Sequence, residues 1–341
     1  MTDWTTLMPE AERLSGSLWA GDAAPEVLPG EVPPAYRAEN YDVAGEPSGE
    51  GTRRRGTEGD GGRRRNLEFP PAPEPLPVPI VDDHTHMDLL DGDTAVTAKD
   101  ALDTGEAVGI GGIVQVGCDL PSSAYAVAAA EADPRVLAAV AIHPNEAPGL
   151  IAEGTFEAAM AVLDEMAQRP RVRAIGETGL DYFRTDESGR DAQQESFRRH
   201  IRLAEEHGLA LQIHDRDAHE DVVRILEEEG APERTVFHCY SGGPELAAIC
   251  NERGWYMSFA GTVTFKNSHA VQASLDMARP DLILAETDAP FLTPHPFRGR
   301  PNASYMTVYT VRWMAERLGM HLAELCTRIR DNAQAVYGSW E

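Results

Sequence analysis

From Pro79 onward, short apolar runs rich in β-branched residues alternate with longer amphipathic segments. That alternation argues for βα units around a parallel sheet and leaves few other architectures open. Eight runs read as strands: Val78–Asp83, Gly112–Val116, Val136–Ala141, Val172–Gly176, Ala210–Ile213, Thr235–Phe237, Trp255–Phe259 and Leu282–Ala285. Helix candidates between them include Phe156–Gln168, Gln193–Glu206, Ala218–Glu229, Glu245–Glu252 and Ala270–Ala278. In the first of these, Phe156, Met160, Leu163 and Met166 recur every three or four residues, as a helix packed on a sheet requires. Eight βα units in about 260 residues is the size of one (β/α)8 TIM-type barrel, and that is the expected fold class.

Residues 1–75 differ. Up to Pro79 the chain spends 12 of its 24 prolines, together with Gly-rich and Arg-rich pieces around Arg53-Arg54-Arg55 and Arg63-Arg64-Arg65. This stretch reads as a disordered extension ahead of a barrel domain over 76–341. Its last part, from Pro71 to Pro79, should be extended and semi-rigid. Asp3 to Leu18 is a candidate short helix. The Arg triplets fit phosphate contacts or, more simply, a solvated linker, because the extension holds 8 Arg against 14 acidic residues.

Thirty Lys and Arg against 56 Asp and Glu leave a formal charge of −26. Such a surface repels polyanions at long range, so a nucleic-acid partner needs a local positive feature, either metal ions or a few Arg. No apolar run approaches the roughly 20 residues of a membrane span, and the first residues carry charges rather than a leader's apolar core. A cytoplasmic protein with no membrane partner is expected. Cys118, Cys239, Cys250 and Cys326 show no metal-binding spacing and read as reduced thiols.

In barrels of this kind, chemistry collects just past the carboxyl end of each strand. After the first strand come His84 and His86, whose i, i+2 spacing puts both imidazoles on one face of an extended segment. After the third comes His143. After the fourth comes Glu177, between Gly176 and Gly179, where a small backbone allows a close approach. His214, with Arg216 two residues on, ends the fifth strand; His238 ends the sixth; Asp288 follows the eighth. Singly, each histidine fits a core residue with one hydrogen bond, and each carboxylate fits an ion pair. Jointly, four histidines and two carboxylates fall at one end of five strands. Imidazole with carboxylate suits Zn²⁺ or Mn²⁺, while Mg²⁺ fits the carboxylates better. Six ligands suit two divalent ions about 3.5–4 Å apart, a pair that activates water and clamps a phosphoryl or acyl oxygen.

At these residues the chain resembles the TatD-like metal-dependent deoxyribonucleases of the amidohydrolase superfamily. The matching stretches are Val81–Asp88, Ile142–Asn145, Gly176–Phe183, Ile213–Ala218, His238–Gly242 and Glu286–Pro294, in the family's order. The resemblance implies one metal held by His84, His86, Glu177 and Asp288 and a second by Glu177, His214 and His238. It also implies that Asp288 orients or deprotonates the attacking water, and that His143, Arg216 and Arg298 contact phosphate. The loop after the eighth strand departs from the family's R-G-x-x-N-E-P: here Arg298-Gly299-Arg300-Pro301-Asn302 is followed by Ala303-Ser304. The long extension has no counterpart in compact members. Strand four ends in Glu177, and neither lysine of the chain (Lys99, Lys266) falls there, which argues against sites bridged by a carboxylated lysine.

The leading expectation is a metal-dependent phosphodiesterase: a deoxyribonuclease trimming single-stranded DNA ends in the 3′ to 5′ direction. The same metal pair serves hydrolysis of a small ester or amide, which the acidic surface favours. A third reading is a metal-binding scaffold whose Pro-rich tail recruits a partner.

Overall fold

The computed structural model describes residues 26–37, 53–54, 65–92, 94 and 96–340. Eight strands form one parallel sheet: β1 (Ile80–Thr85), β2 (Ile110–Val116), β3 (Val136–Val140), β4 (Val172–Asp181), β5 (Ala210–Arg216), β6 (Thr235–Phe237), β7 (Tyr256–Phe259) and β8 (Ile283–Ala285). Each pairs with its sequence neighbours, β1 to β8 in order. The sheet closes through residues just past β8. Thr85 bridges Ala289, the Asp288 amide donates to the His84 carbonyl at 2.9 Å, and the His86 amide donates to the Ala289 carbonyl at 2.9 Å. Asp82 locks the seam from inside by accepting the Thr287 amide (2.8 Å) and hydroxyl (2.7 Å). The (β/α)8 barrel expected from the alternation is therefore the architecture observed.

Helices α1 (Ala98–Ala107), α2 (Leu120–Ala132), α3 (Ala147–Glu153), α4 (Phe156–Ala167), α5 (Glu187–His207), α6 (His219–Glu229), α7 (Pro244–Arg253), α8 (His269–Met277), α9 (Thr307–Leu318) and α10 (Leu322–Tyr337) complete the chain order. Phe156, Met160, Leu163 and Met166 of α4 are all buried, so the 3.6-residue stripe faces the sheet. Helix α5 begins six residues before the expected Gln193. Asp186 caps it by accepting the Ser188 amide, and left-handed Gly208 ends it.

Two features lay beyond the sequence pattern. Strand β4 runs on through Glu177 to Asp181, because Thr178, Gly179, Leu180 and Asp181 keep pairing with β5 after a register shift. The glycines there serve the neighbouring strand rather than a ligand. A Cβ on Gly176 would lie 2.5 Å from Cβ of Gln212, and one on Gly179 would lie 2.1 Å from the His214 carbonyl oxygen.

The expectation of a disordered extension does not hold for residues 26–37 and 65–75, so the boundary near 76 falls inside an ordered strap. Tyr36 and Phe69 are buried, with ring centroids 4.7 Å apart, and Tyr36 also meets Tyr305 at 5.1 Å. The proline-rich strap cannot build a ladder of its own, so its carbonyls take donors from the barrel. Tyr305 and Tyr309 hydroxyls bond the Pro70 and Pro71 carbonyls at 2.7 and 3.0 Å, and Arg312 bonds those of Glu74 and Pro75. The candidate helix Asp3–Leu18 lies outside the described residues. So do Arg55, Arg63 and Arg64 of the Arg triplets.

The lower end of the barrel is plugged from within. Tyr337 and Val336 of α10 join Val81, Val114, Leu137 and Leu284 in one apolar cluster. Trp340 Nε1 donates to the Ile113 carbonyl, against a glycine, Gly112, whose Cβ would sit 2.6 Å from the indole nitrogen. Among the described residues no helix is long and apolar enough to cross a membrane.

Candidate metal centre

The upper end gathers the expected ligands. His84 and His86 project from the end of β1 with Nε2 atoms 3.3 Å apart. The Nδ1 of His86 lies 3.0 Å from the Val116 carbonyl, which only a protonated nitrogen can satisfy. A neutral His86 therefore offers its Nε2 lone pair to the site. Glu177, from β4, is buried at the centre. One of its oxygens faces His84 (3.7 Å) and His86 (3.5 Å); the other faces His214 (3.0 Å), His238 (3.0 Å) and His143 (3.6 Å). Asp288 closes the near side, 3.5 Å from His86 Nε2. His84 and His238 stack at 3.8 Å between centroids.

Burial alone would raise the Glu177 carboxyl, but the surrounding His143, His238 and His214 outweigh it and hold the group well below its usual range. Asp288 is likewise held down against burial, chiefly by His86. Burial, assisted by the neighbouring His238, lowers His84.

The structure brings together all six expected ligands. Three-residue groups able to hold an ion are His84–His86–Asp288, His84–Glu177–His238 and His143–Glu177–His214. A fourth, His86–Cys118–Glu177, adds a thiol whose sequence spacing showed no metal-binding pattern, with Sγ 3.3 Å from Glu177. Burial and the Glu177 charge push that thiol up to about 12, so it carries no charge at neutral pH. The donor set suits a divalent ion. It is imidazole and carboxylate, it converges on one carboxylate, and among the described residues no Lys or Arg forms an ion pair with Glu177.

The expected substrate contacts divide. His143 sits at the cluster, its ring 4.7 Å from that of His214. Its Nδ1 accepts the Asn145 amide at 3.0 Å, and burial lowers its pKa to about 3. The neutral ring then carries its proton on Nε2 and can donate a hydrogen bond from there. Arg216 ends β5 with its guanidinium 3.8 Å over the Phe183 ring, and Phe183 is 62% exposed. Arg298, in the loop after β8, is tied to Phe265 at 4.4 Å rather than to any of the six ligands.

Three partners went unassigned from the sequence. Asp181 bonds the second nitrogen of His214 at 3.2 Å and is itself held by the Phe183 and Arg184 amides and by Asn145. Glu286 bonds His238 Nδ1 at 3.2 Å and the Cys239 amide at 2.8 Å. Gln115 reaches under His86 to the Met87 amide at 2.8 Å and to Asp88 at 2.9 Å. Asp181 and Glu286 stand within the family-like stretches and Gln115 stands outside them; only the spatial pairing across strands reveals their role.

A (β/α)8 barrel with a histidine–carboxylate cluster at the carboxyl ends of its strands defines a metal-dependent hydrolase of the kind expected above. The sequence model of the family "TatD related DNase" matches residues 81–338. A Mycobacterium tuberculosis protein described as the uncharacterized metal-dependent hydrolase TatD is 39% identical over 263 residues, covering 76% of this chain and 98% of its own. The Bacillus subtilis metal-dependent hydrolase YabD is 37% identical over 259 residues, 76% of this chain and 98% of its own. Among solved structures, the Escherichia coli TatD homologue YjjV superposes with a TM-score of 0.68 at 22% identity, covering 76% of this chain and 98% of that one. The chain belongs to the TatD family of metal-dependent hydrolases.

Proposed function

We propose that the protein is a deoxyribonuclease that uses two divalent ions, Mg²⁺, Mn²⁺ or Zn²⁺, to trim single-stranded DNA ends, 3′ to 5′, in the cytoplasm. The observation that carries this reading is Glu177, whose two oxygens face two separate histidine groups, as a bridging carboxylate would. His84, His86, Glu177 and Asp288 would hold one ion; Glu177, His214 and His238 would hold the other. Two bound divalent ions supply an activated water and offset charge on a phosphoryl oxygen.

The chain's own groups do the rest. Asp288, kept ionised beside His86, accepts the proton of the attacking water. His143 donates from Nε2 to a phosphoryl oxygen, and stays neutral through the physiological range because its pKa lies near 3. Val116, Glu286 and Asp181 fix the orientations of His86, His238 and His214. The exposed Phe183 ring beside Arg216 offers a base-stacking platform and a phosphate contact together, the pair single-strand binders use.

The charge of −26 favours the other reading, a small ester or amide substrate. Hydrolysis of end-labelled single-stranded DNA with and without each metal, beside Asp288→Asn and His84→Ala, separates them. Metal-dependent nucleotide release that both variants lose supports the nuclease. Esterase activity without nucleotide release, in protein loaded with metal, contradicts it.

A further inference from the structure

We propose that Arg65, in the ordered part of the extension, is a positioning residue that holds the substrate-side loop after β8 against the loop after β1. The family match begins at residue 81, so it does not account for this side chain. The Arg65 guanidinium pairs with both oxygens of Asp91, at 2.7 Å for Nη1, and its Nε donates to the Gly299 carbonyl at 3.1 Å. The pair is sealed: Arg65 is 4% and Asp91 1% exposed at the side chain. Asp91 lies five residues after His86, and Gly299 follows Arg298 directly. One planar fork therefore spans the two loops that flank the metal cluster.

The neighbouring residues repeat the stitch. Arg300 donates to the Glu68 and Phe69 carbonyls at 2.8 and 2.6 Å. Gly92 sits under Leu67, Phe69 and Pro301, where a Cβ would come within 2.9 Å of each, at a φ of +78° that favours glycine. The loop after β8, which carries Gly299 and Arg300, is also the one that lacks the family's Glu-Pro after Asn302. The extension supplies from outside the barrel a brace for a loop that departs from the family's sequence. The consequence for Arg298 as a phosphate contact rests on the nuclease reading above; the brace itself does not.

Two full-length variants test it. Arg65→Lys keeps a charge facing Asp91 but cannot hold the fork and the Gly299 carbonyl at once. Arg65→Met with Asp91→Asn removes both charges, so no carboxylate is left buried alone. Hydrogen exchange in residues 87–92 and 294–303 is expected to quicken about tenfold in both, with the global melting temperature nearly unchanged. The KM for single-stranded DNA rises about tenfold while kcat, and kcat/KM for bis(p-nitrophenyl) phosphate, stay within about twofold. Adding Arg298→Ala to either variant brings little further rise, because the two residues act on one contact. Unchanged exchange in both loops overturns the proposal. An equal fall in kcat/KM for DNA and the small diester also overturns it, since Arg65 would then support the histidine–carboxylate cluster and not the loop after β8. If wild type hydrolyses the small diester but not DNA, the nuclease reading fails, and the exchange data alone decide whether Arg65 holds the loops.

Discussion

The two ends of this barrel treat polar groups in opposite ways. Toward the lower end, the polar groups that enter the lumen pair mostly with each other, Gln212 Oε1 excepted among the described residues. Asp83 accepts from the Ser258 hydroxyl at 2.7 Å and from the Tyr337 hydroxyl at 3.0 Å, and Gln212 donates to both the Asp83 carbonyl and Tyr337 at 2.7 Å. At the upper end, five histidines and two carboxylates face a common centre. His84 Nδ1 and Glu286 Oε2 are buried there without a hydrogen-bond partner. Cys239 and Asp288 are held at φ of 41° and 50°, a region non-glycine residues rarely adopt. Positive-φ backbone, an unpartnered imidazole nitrogen and an unpartnered carboxylate oxygen gather at the candidate site, whereas the lower end is held by a hydrogen-bonded network in which Gln212 Oε1 lacks a partner among the described residues.

That contrast can be broken at four places. The largest effect belongs to Asp288→Asn, which should lower kcat by about 10²–10⁴-fold while the melting temperature is retained, since the group makes no packing contribution the amide cannot. A steady-state assay beside a thermal melt checks both halves. Glu286→Gln should weaken metal binding by about 10–100-fold, because His238 loses the charged partner that orients it; titration with Mn²⁺ reads this directly.

At the lower end the signs exchange. Tyr337→Phe removes the hydroxyl that serves Asp83 and Gln212, and should cost about 1–3 kcal/mol in urea unfolding with kcat nearly unchanged. An activity loss larger than the stability loss would mean the two ends are coupled. The smallest effect lies outside both ends, at His200 on α5. Its Nε2 accepts the Ile142 amide at 3.0 Å, and burial lowers its pKa from 6.5 to about 4. Between those values the unfolded chain binds more protons than the folded one. This contribution is therefore complete above pH 6.5 and lost as pH falls toward 4. In His200→Gln the slope of unfolding free energy against pH in that window should flatten, by at most about 1.4 kcal/mol per unit.

The barrel and the histidine–carboxylate cluster were legible in the sequence for the same reason: each of these side chains stands at the end of an apolar run, so one local pattern marks both strand and cluster. All eight strands appear within about four residues of their expected starts and, β4 apart, their ends. What pattern could not show depends on partners distant in the chain. Glu286 and Asp181 gain their roles from histidines 48 and 33 positions away. Residues 70–75 looked structureless because their partners are Tyr305, Tyr309 and Arg312, more than 230 residues on. The end of β4 was hidden because glycines that admit a neighbouring strand read, in one dimension, as a loop.

The central claim is that Glu177 is shared by two ions. Electron paramagnetic resonance of Mn²⁺ titrated into metal-free protein tests it most directly. Two bound ions per chain with the signal of a coupled pair are expected, with one ion in His238→Ala and loss of the coupled signal in Glu177→Ala. A single bound ion in the wild type, or a coupled pair that survives Glu177→Ala, would contradict it.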